Sequence, residues 1–140
     1  MSEIDYVGPL TERQRGKLPD HLGLEWLEAQ TGRVRGRFTV AERHMAPNGF
    51  MHAGSVVTLA DSACGYGCFI SLPEGGTGFT TVELKTNFLG TGKLGDLISA
   101  QARLIHGGRS TQVWDAEVHN DTADKTIALF RCTQMVLYPR

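Results

Sequence analysis

The sequence predicts an α+β protein in which one antiparallel sheet wraps around a single long helix. Two observations carry that prediction. Six stretches show strand character, the clearest alternating apolar and polar residues with period two. Between Arg43 and Glu74, thirty residues hold one charged side chain, Asp61, where the chain average of 21% leads one to expect about six. The order along the chain reads β-β-α-β-β-β-β, with residues 1–20 as an N-terminal arm and 21–140 as one domain.

Each element has its own signal. The arm is polar and carries Pro9 and Pro19; a loose segment with a short helix near Leu10 to Lys17 is expected. In the first strand Leu22, Leu24, Trp26 and Glu28 alternate with Gly23, Glu25 and Leu27. In the second, Gly32, Val34, Gly36, Phe38 and Val40 alternate with Arg33, Arg35, Arg37 and Thr39, which puts the arginines on one face. Gln30-Thr31-Gly32 forms the turn between them. Pro47-Asn48-Gly49 marks a turn before the helix, and Pro73-Glu74-Gly75-Gly76 the loop after it. From Ala53 to Phe69 the helix is apolar almost all round, so it belongs inside a core. Gly65 and Gly67 lower its propensity but permit close approach of a neighbouring element. Four strands follow: Phe79 to Phe88, Leu97 to His106, Ser110 to Asn120 and Ile127 to Tyr138. One sheet does not cover a helix that is apolar on every side, so its outer face is expected to meet another subunit.

The chain has 140 residues, the size of one domain able to bury its own core. With 14 basic and 15 acidic residues the net charge is −1, which excludes a general nucleic-acid footprint. The three cysteines cannot close a disulfide framework and read as reduced thiols of a cytoplasmic protein. Met1-Ser2-Glu3-Ile4-Asp5 is too acidic for a signal peptide. No apolar run is expected to approach the roughly 18 residues of a membrane span.

The chemistry points to Asp61. An ionised carboxylate in an apolar helix costs several kcal/mol even after relaxation, so it is retained when paired or useful. Desolvation should raise its pKa, which suits a general base or nucleophile. The plain structural alternative is a carboxylate bonded to backbone or solvent at an interface. At the start of the same helix, the free amides of Ala53 or Gly54 could stabilise negative charge developing on a substrate carbonyl oxygen, although every helix has such amides. Ala53 and Asp61 are eight residues apart, about 12 Å along the axis. One carbonyl cannot easily touch both on one helix, whereas two antiparallel copies could bring them together. The site therefore implies a homodimer.

These residues carry a resemblance. Gly49-x-x-His52-Ala53-Gly54, followed by Leu59-x-Asp61-x-Ala63, resembles the signature of hotdog-fold acyl-CoA thioesterases, most closely the PaaI-like and 4-hydroxybenzoyl-CoA thioesterase group. There the pattern is Gly-x-x-His-Gly-Gly with an Asp or Glu nine residues after the His, and Asp61 is nine after His52. Thr81-Val82-Glu83-Leu84-Lys85-Thr86-Asn87-Phe88-Leu89 is similar to the family's strand after the helix, and the likeness spans roughly residues 20 to 138.

The resemblance implies hydrolysis of an aryl or short- to medium-chain acyl-CoA. Asp61 acts as nucleophile or general base, and the Ala53 amide of the other subunit polarises the thioester carbonyl. His52 shapes the turn and approaches the thioester, and Thr81 orients water or the carboxylate. Gly54 lies at the substrate, while Arg109, Ser110 and Thr111 match the turn that contacts coenzyme A phosphates. It further implies a homodimer that pairs into a tetramer, with no metal and no cofactor beyond the coenzyme A of the substrate, and neither nucleic acid nor membrane as partner. Two positions depart from the pattern. Ala53 replaces the first Gly of His-Gly-Gly, a change that keeps the backbone amide. Ala46 stands six residues before the His, where relatives carry Asn or Gln, so the carbonyl contact falls to Asn48 or His44.

Other chemistries fare worse. Cys64 and Cys68 lie one helical turn apart but lack a second pair for a metal site, and His44 and His52 have no carboxylate at ligand spacing. No Gly-x-Ser-x-Gly elbow, phosphate loop or dinucleotide fingerprint occurs. The hydratases and dehydratases of the same fold use a different His–acid arrangement. A non-catalytic acyl-CoA-binding module is the alternative that Ala46 keeps open.

Overall fold

In the computed structural model, residues 4–140 are described; Met1, Ser2 and Glu3 of the acidic N-terminus lie outside them. Helix α1 (Val7–Arg13) and the short α2 (Leu18–His21) precede strands β1 (Glu25–Gln30) and β2 (Arg33–Thr39). The long helix α3 (Ala53–Ile70) follows, and then β3 (Gly78–Phe88), β4 (Leu97–Gly107), β5 (Thr111–Asn120) and β6 (Lys125–Leu137). The six strands form one sheet in the order β1-β2-β4-β5-β6-β3, every pairing antiparallel. The sheet wraps α3, which touches strands across its whole width.

Alternation sets the core. Val34 and Phe38 of β2, Ile98, Ala100 and Ala102 of β4, Trp114, Ala116 and Val118 of β5, and Ala128, Phe130 and Cys132 of β6 are all buried against α3. Each fully buried large side chain among them contributes about 1.5–3 kcal/mol. On the helix side, Leu59, Ala60, Ala63, Cys64 and Cys68 are fully buried. The close approach expected of its glycines is present. A Cβ on Gly67 would sit 2.4 Å from the Trp114 ring, and one on Gly65 3.1 Å from Phe79. Trp114 can lie across the helix only because position 67 has no side chain.

Three expectations need correction. The arm is packed rather than loose. Leu10 is buried, the Tyr6 amide donates to the Ala29 carbonyl at 2.8 Å, and Arg13 stacks its guanidinium over Phe69. Its helix ends at Arg13, because the buried Gln14 turns inward to accept bonds from Trp26 Nε1 (2.8 Å) and Tyr66 Oη (3.1 Å) and donates to the Leu24 carbonyl (2.9 Å). Second, Glu28 does not share a face with Trp26. A bulge at Leu27 shifts the phase of β1, sending Ala29 inward and Glu28 outward to Arg33 and Arg35. Third, α3 itself has 18 residues at mean hydropathy 1.2, the length and composition of a short membrane span, where no such run was expected. Half of it is buried inside the fold.

Candidate active site

The loop into α3 is tied down by its own backbone. The Gly49 amide donates to the Ala46 carbonyl (3.1 Å), and Gly49 takes φ +88°, which closes the turn predicted at Pro47-Asn48-Gly49. His52 is the N-cap of α3, and its Nδ1 accepts from the Gly54 amide at 2.7 Å. The imidazole lies so close over Gly54 that a Cβ there would meet Nδ1 at 2.9 Å. Gly54 therefore serves the cap, and its amide is engaged rather than open to a substrate. The Ser55 amide returns to the His52 carbonyl (2.9 Å). The Ala53 amide is left without a partner among the described residues, on an exposed residue at the positive end of the helix.

The two residues proposed to stand in for the side chain absent at Ala46 are occupied elsewhere. His44 is buried and stacked on Phe38, ring centroids 4.2 Å apart. Its Nδ1 accepts from the Ala41 amide (2.9 Å) and its Nε2 donates to the Leu22 carbonyl (2.6 Å), a pairing that fixes the neutral tautomer. Burial lowers its pKa further. Asn48 is exposed, and its Oδ1 accepts from the Phe50 amide (3.1 Å) in its own turn.

Asp61 lies two turns down α3 on the half-buried stripe that also holds Thr58 and Ser62. Burial raises its pKa, and the neighbouring Thr81 hydroxyl partly offsets the rise. Asp61 and Thr81 thus meet within one chain. Thr81 is aimed by a bulge at Val82, between the pairs Thr81–Gln134 and Glu83–Thr133 of β3 and β6. Gln134, which the sequence reading did not single out, is fully buried and 2.8 Å from Thr81 Oγ1. Nothing in the local sequence marks it; only the cross-strand register brings it to Thr81.

Arg109, Ser110 and Thr111 occupy the β4–β5 turn. The Tyr138 hydroxyl donates to the Arg109 carbonyl, the Val136 amide to the Ser110 carbonyl (2.9 Å) and the Gly108 amide to the Thr111 carbonyl (2.9 Å), which leaves the side chains of Arg109 and Ser110 exposed. Thr111 pairs with Met135, next to Gln134 and opposite Thr80. The turn is therefore two strands, about 10 Å, from the row that carries Thr81.

The sequence profile of the thioesterase superfamily matches residues 48–127, which include the His52 cap, Asp61 and Thr81. The chain belongs to the thioesterase superfamily. It is 32% identical over 116 residues to the 1,4-dihydroxy-2-naphthoyl-CoA hydrolase of Listeria monocytogenes, covering 83% of this chain and 92% of that protein. Over 110 residues it is 31% identical to the acyl-coenzyme A thioesterase PaaI of Escherichia coli, covering 79% and 75%. The solved structure of that E. coli protein superposes with a TM-score of 0.82 at 27% identity, over 93% of this chain and 89% of the other. The architecture is the hotdog fold, and the chain is a thioester hydrolase.

Within one chain of this thioesterase the Ala53 amide and the Asp61 carboxylate stay apart, because they are eight residues, about 12 Å, apart on one helix. Tyr66 and Met51 are engaged by the fold itself. Tyr66 packs edge-on against Trp26, ring centroids 5.0 Å apart, and Met51 is buried in the core. Phe50 is exposed, and Phe79 lies half-buried against the glycine face of α3. A concavity of about 480 Å³ lies away from Asp61, on the outer face of the sheet, lined by Arg33, Arg35, Arg103 and Arg131 beside Asp115 and Glu117.

Proposed function

We propose that this thioesterase hydrolyses an acyl-CoA, aryl or short- to medium-chain, to the free acid and coenzyme A at sites shared by two copies of the chain. The observation that carries this reading is that two turns of α3 separate the Ala53 amide, unpartnered among the described residues, from Asp61 and its neighbour Thr81. An antiparallel second helix brings the missing half to each site. The free edge of β3 supports such pairing. It is eleven residues long, carries exposed Val82, Leu84 and Phe88, and lies at the end of the sheet with no further strand beside it among the described residues. A relative named as an acyl-coenzyme A thioesterase supports the substrate class. So does a Streptococcus mutans structure bound to acetyl CoA, 28% identical over 84% of this chain and 90% of that one, with a TM-score of 0.75.

In this reading Asp61 accepts a proton from water while the water oxygen bonds to the thioester carbon. The carbonyl oxygen becomes an oxyanion facing the Ala53 N–H of the other subunit. The carbon–sulfur bond then breaks, and the departing thiolate takes the proton held by Asp61. His52 acts by shaping the cap that leaves the Ala53 amide open. Arg109, Ser110 and Thr111 contact the coenzyme A phosphates, and coenzyme A enters only as part of the substrate. Two dimers pair through the outer sheet face, where charges of both signs allow a surface to meet its own copy. Three buried free thiols suit a cytoplasmic location.

Thiol release measured on a panel of aromatic and aliphatic acyl-CoAs, for wild type and Asp61→Asn, tests the reading. Turnover should fall by about 10²- to 10⁴-fold in the variant, with acyl-CoA binding retained. Unchanged turnover would remove Asp61 from the mechanism. Acyl-Asp61 trapped by mass spectrometry would make it the nucleophile instead of the base. Binding by the wild type without turnover on any substrate would favour the non-catalytic module, with Ala46 as its cause.

A further inference from the structure

The surroundings of Thr81 hold an imbalance. Asp61 Oδ1 is buried and has no hydrogen-bond partner among the described residues. The Thr81 hydroxyl is within reach of both this carboxylate and the Gln134 carboxamide. A hydroxyl has one proton to give. Donated to Gln134 Oε1 at 2.8 Å, it leaves Asp61 facing oxygen lone pairs, while Gln134 Nε2 is left with the Cys132 sulfur, a weak acceptor, at 3.4 Å. The oxygen and nitrogen ends of a carboxamide are told apart by the partners they meet. Turned end for end, the same amide gives every group a partner: Nε2 donates to Thr81 Oγ1, the Thr81 hydroxyl donates to Asp61, and Oε1 accepts the Cys132 thiol proton. Gln134 is fully buried and out of reach of bulk water.

We propose that Gln134 is a positioning residue of the active site: its amide nitrogen donates to Thr81 and thereby commits the Thr81 proton to Asp61. The inference rests on the reading of Asp61 as the reactive carboxylate. The relay runs from β6 through the bulged edge strand β3 to α3, and it fixes both the direction of the Thr81 hydroxyl and the orientation of the carboxylate. The other ionisable groups around it contribute little charge. Cys64, one turn along α3, is buried and touches Cys132 on β6, and burial pushes its thiol up so that it stays neutral. Glu83 of β3 is exposed and accepts from Thr133 Oγ1 at 2.7 Å. Asp115 of β5 is held by Arg131.

The sign of one titration decides the matter. Asp61 is followed by carboxyl ¹³C NMR, its signal assigned by its loss in Asp61→Asn, in wild type, Gln134→Met, Thr81→Val and Gln112→Met. The proposal expects the Asp61 midpoint to move up in Gln134→Met and in Thr81→Val, with no further move in the double variant. Gln112→Met is the control, since Gln112 is equally buried but bonded to Ser71 and Trp114; it should lose stability without moving the midpoint. In parallel, kcat/KM at acid pH should fall by about tenfold in Gln134→Met, less than the roughly 10²-fold expected for loss of the base itself, with KM little changed. A midpoint that stays or moves down in Gln134→Met overturns the proposal, because the amide was then drawing the proton away from Asp61. Should Gln134→Met not fold, Thr81→Val reads the same proton: an unmoved midpoint overturns the proposal, and an upward shift supports it. The NMR readout needs no turnover, so absence of thioesterase activity would refute the function without touching this result.

Discussion

Asp61 lives in two conflicting conditions, a largely buried site and a neighbouring Thr81 hydroxyl, and burial dominates. Two consequences follow at the scale of this residue. The acid limb of kcat/KM should lie above the ordinary aspartate range, with activity rising as pH rises and Asp61 ionises, which a pH–rate profile measures. The stability effect has the opposite sign. Because the folded-state pKa is raised, the unfolded chain ionises first as pH climbs past about 3.8, and the fold carries a penalty that is complete once pH exceeds the folded value. Asp61→Asn should therefore raise the Tm at neutral pH by a few degrees, and the gain should vanish toward pH 4 in parallel calorimetric scans. Ala53 gives a cleaner test of the proposed oxyanion donor. It is the first helical residue, and His52 before it has ψ 132°, a conformation that accepts a following proline. Ala53→Pro should remove the N–H and little else, lowering kcat by about 10²- to 10³-fold with an almost unchanged Tm, whereas Ala53→Gly should keep activity. The placement of His52, Ala53 and Asp61 at the start and along one helix was legible because their spacing is fixed. Gln134 and the engagement of His44 and Gly54 were not, because a hydrogen-bond partner across a sheet or over a cap leaves no local pattern.

At the scale of elements, alternation made the strands readable, and their ends fall within two or three residues of those expected. What alternation could not show was where it slips. The bulges at Leu27 and Val82 each insert one residue, so the faces of β1 and β3 change sides partway along. The second slip is what turns Thr81 toward Asp61. The arm escaped the reading for another reason: seven residues of α1 bury little by themselves, and Leu10 and Gln14 become meaningful only where Trp26 and Tyr66 await them. Gln14→Leu should cost about 3 kcal/mol, since it strands the Trp26 and Tyr66 donors and the Leu24 carbonyl. Thermal unfolding should show roughly a 10 °C loss, without a change in the pH dependence of turnover.

For the whole molecule, the surface on which the proposed shared site depends is the open edge of β3. Leu84→Lys places a charge on that exposed edge, the device by which natural sheets refuse partners. If sites form between copies, this variant should sediment as a folded monomer, and its turnover should fall at least tenfold and recover little with concentration; light scattering with the thiol-release assay measures both. A fully active monomer would refute the shared site. The division into sheet and wrapped helix was readable from composition, because one uncharged stretch among alternating ones admits few packings.

The place of α3 in the chain has a consequence for synthesis. Its 18 nearly uncharged residues leave the ribosome ahead of β3 to β6, which supply much of the sheet that encloses them. At about 5–20 residues per second, some seconds pass in which a segment of membrane-like character has only β1 and β2 beside it. A chain truncated between α3 and β3 should therefore bind chaperones or lipid vesicles, and one that extends through β6 should not. The lone charge of Asp61 is also what makes this segment a poor membrane span while it waits.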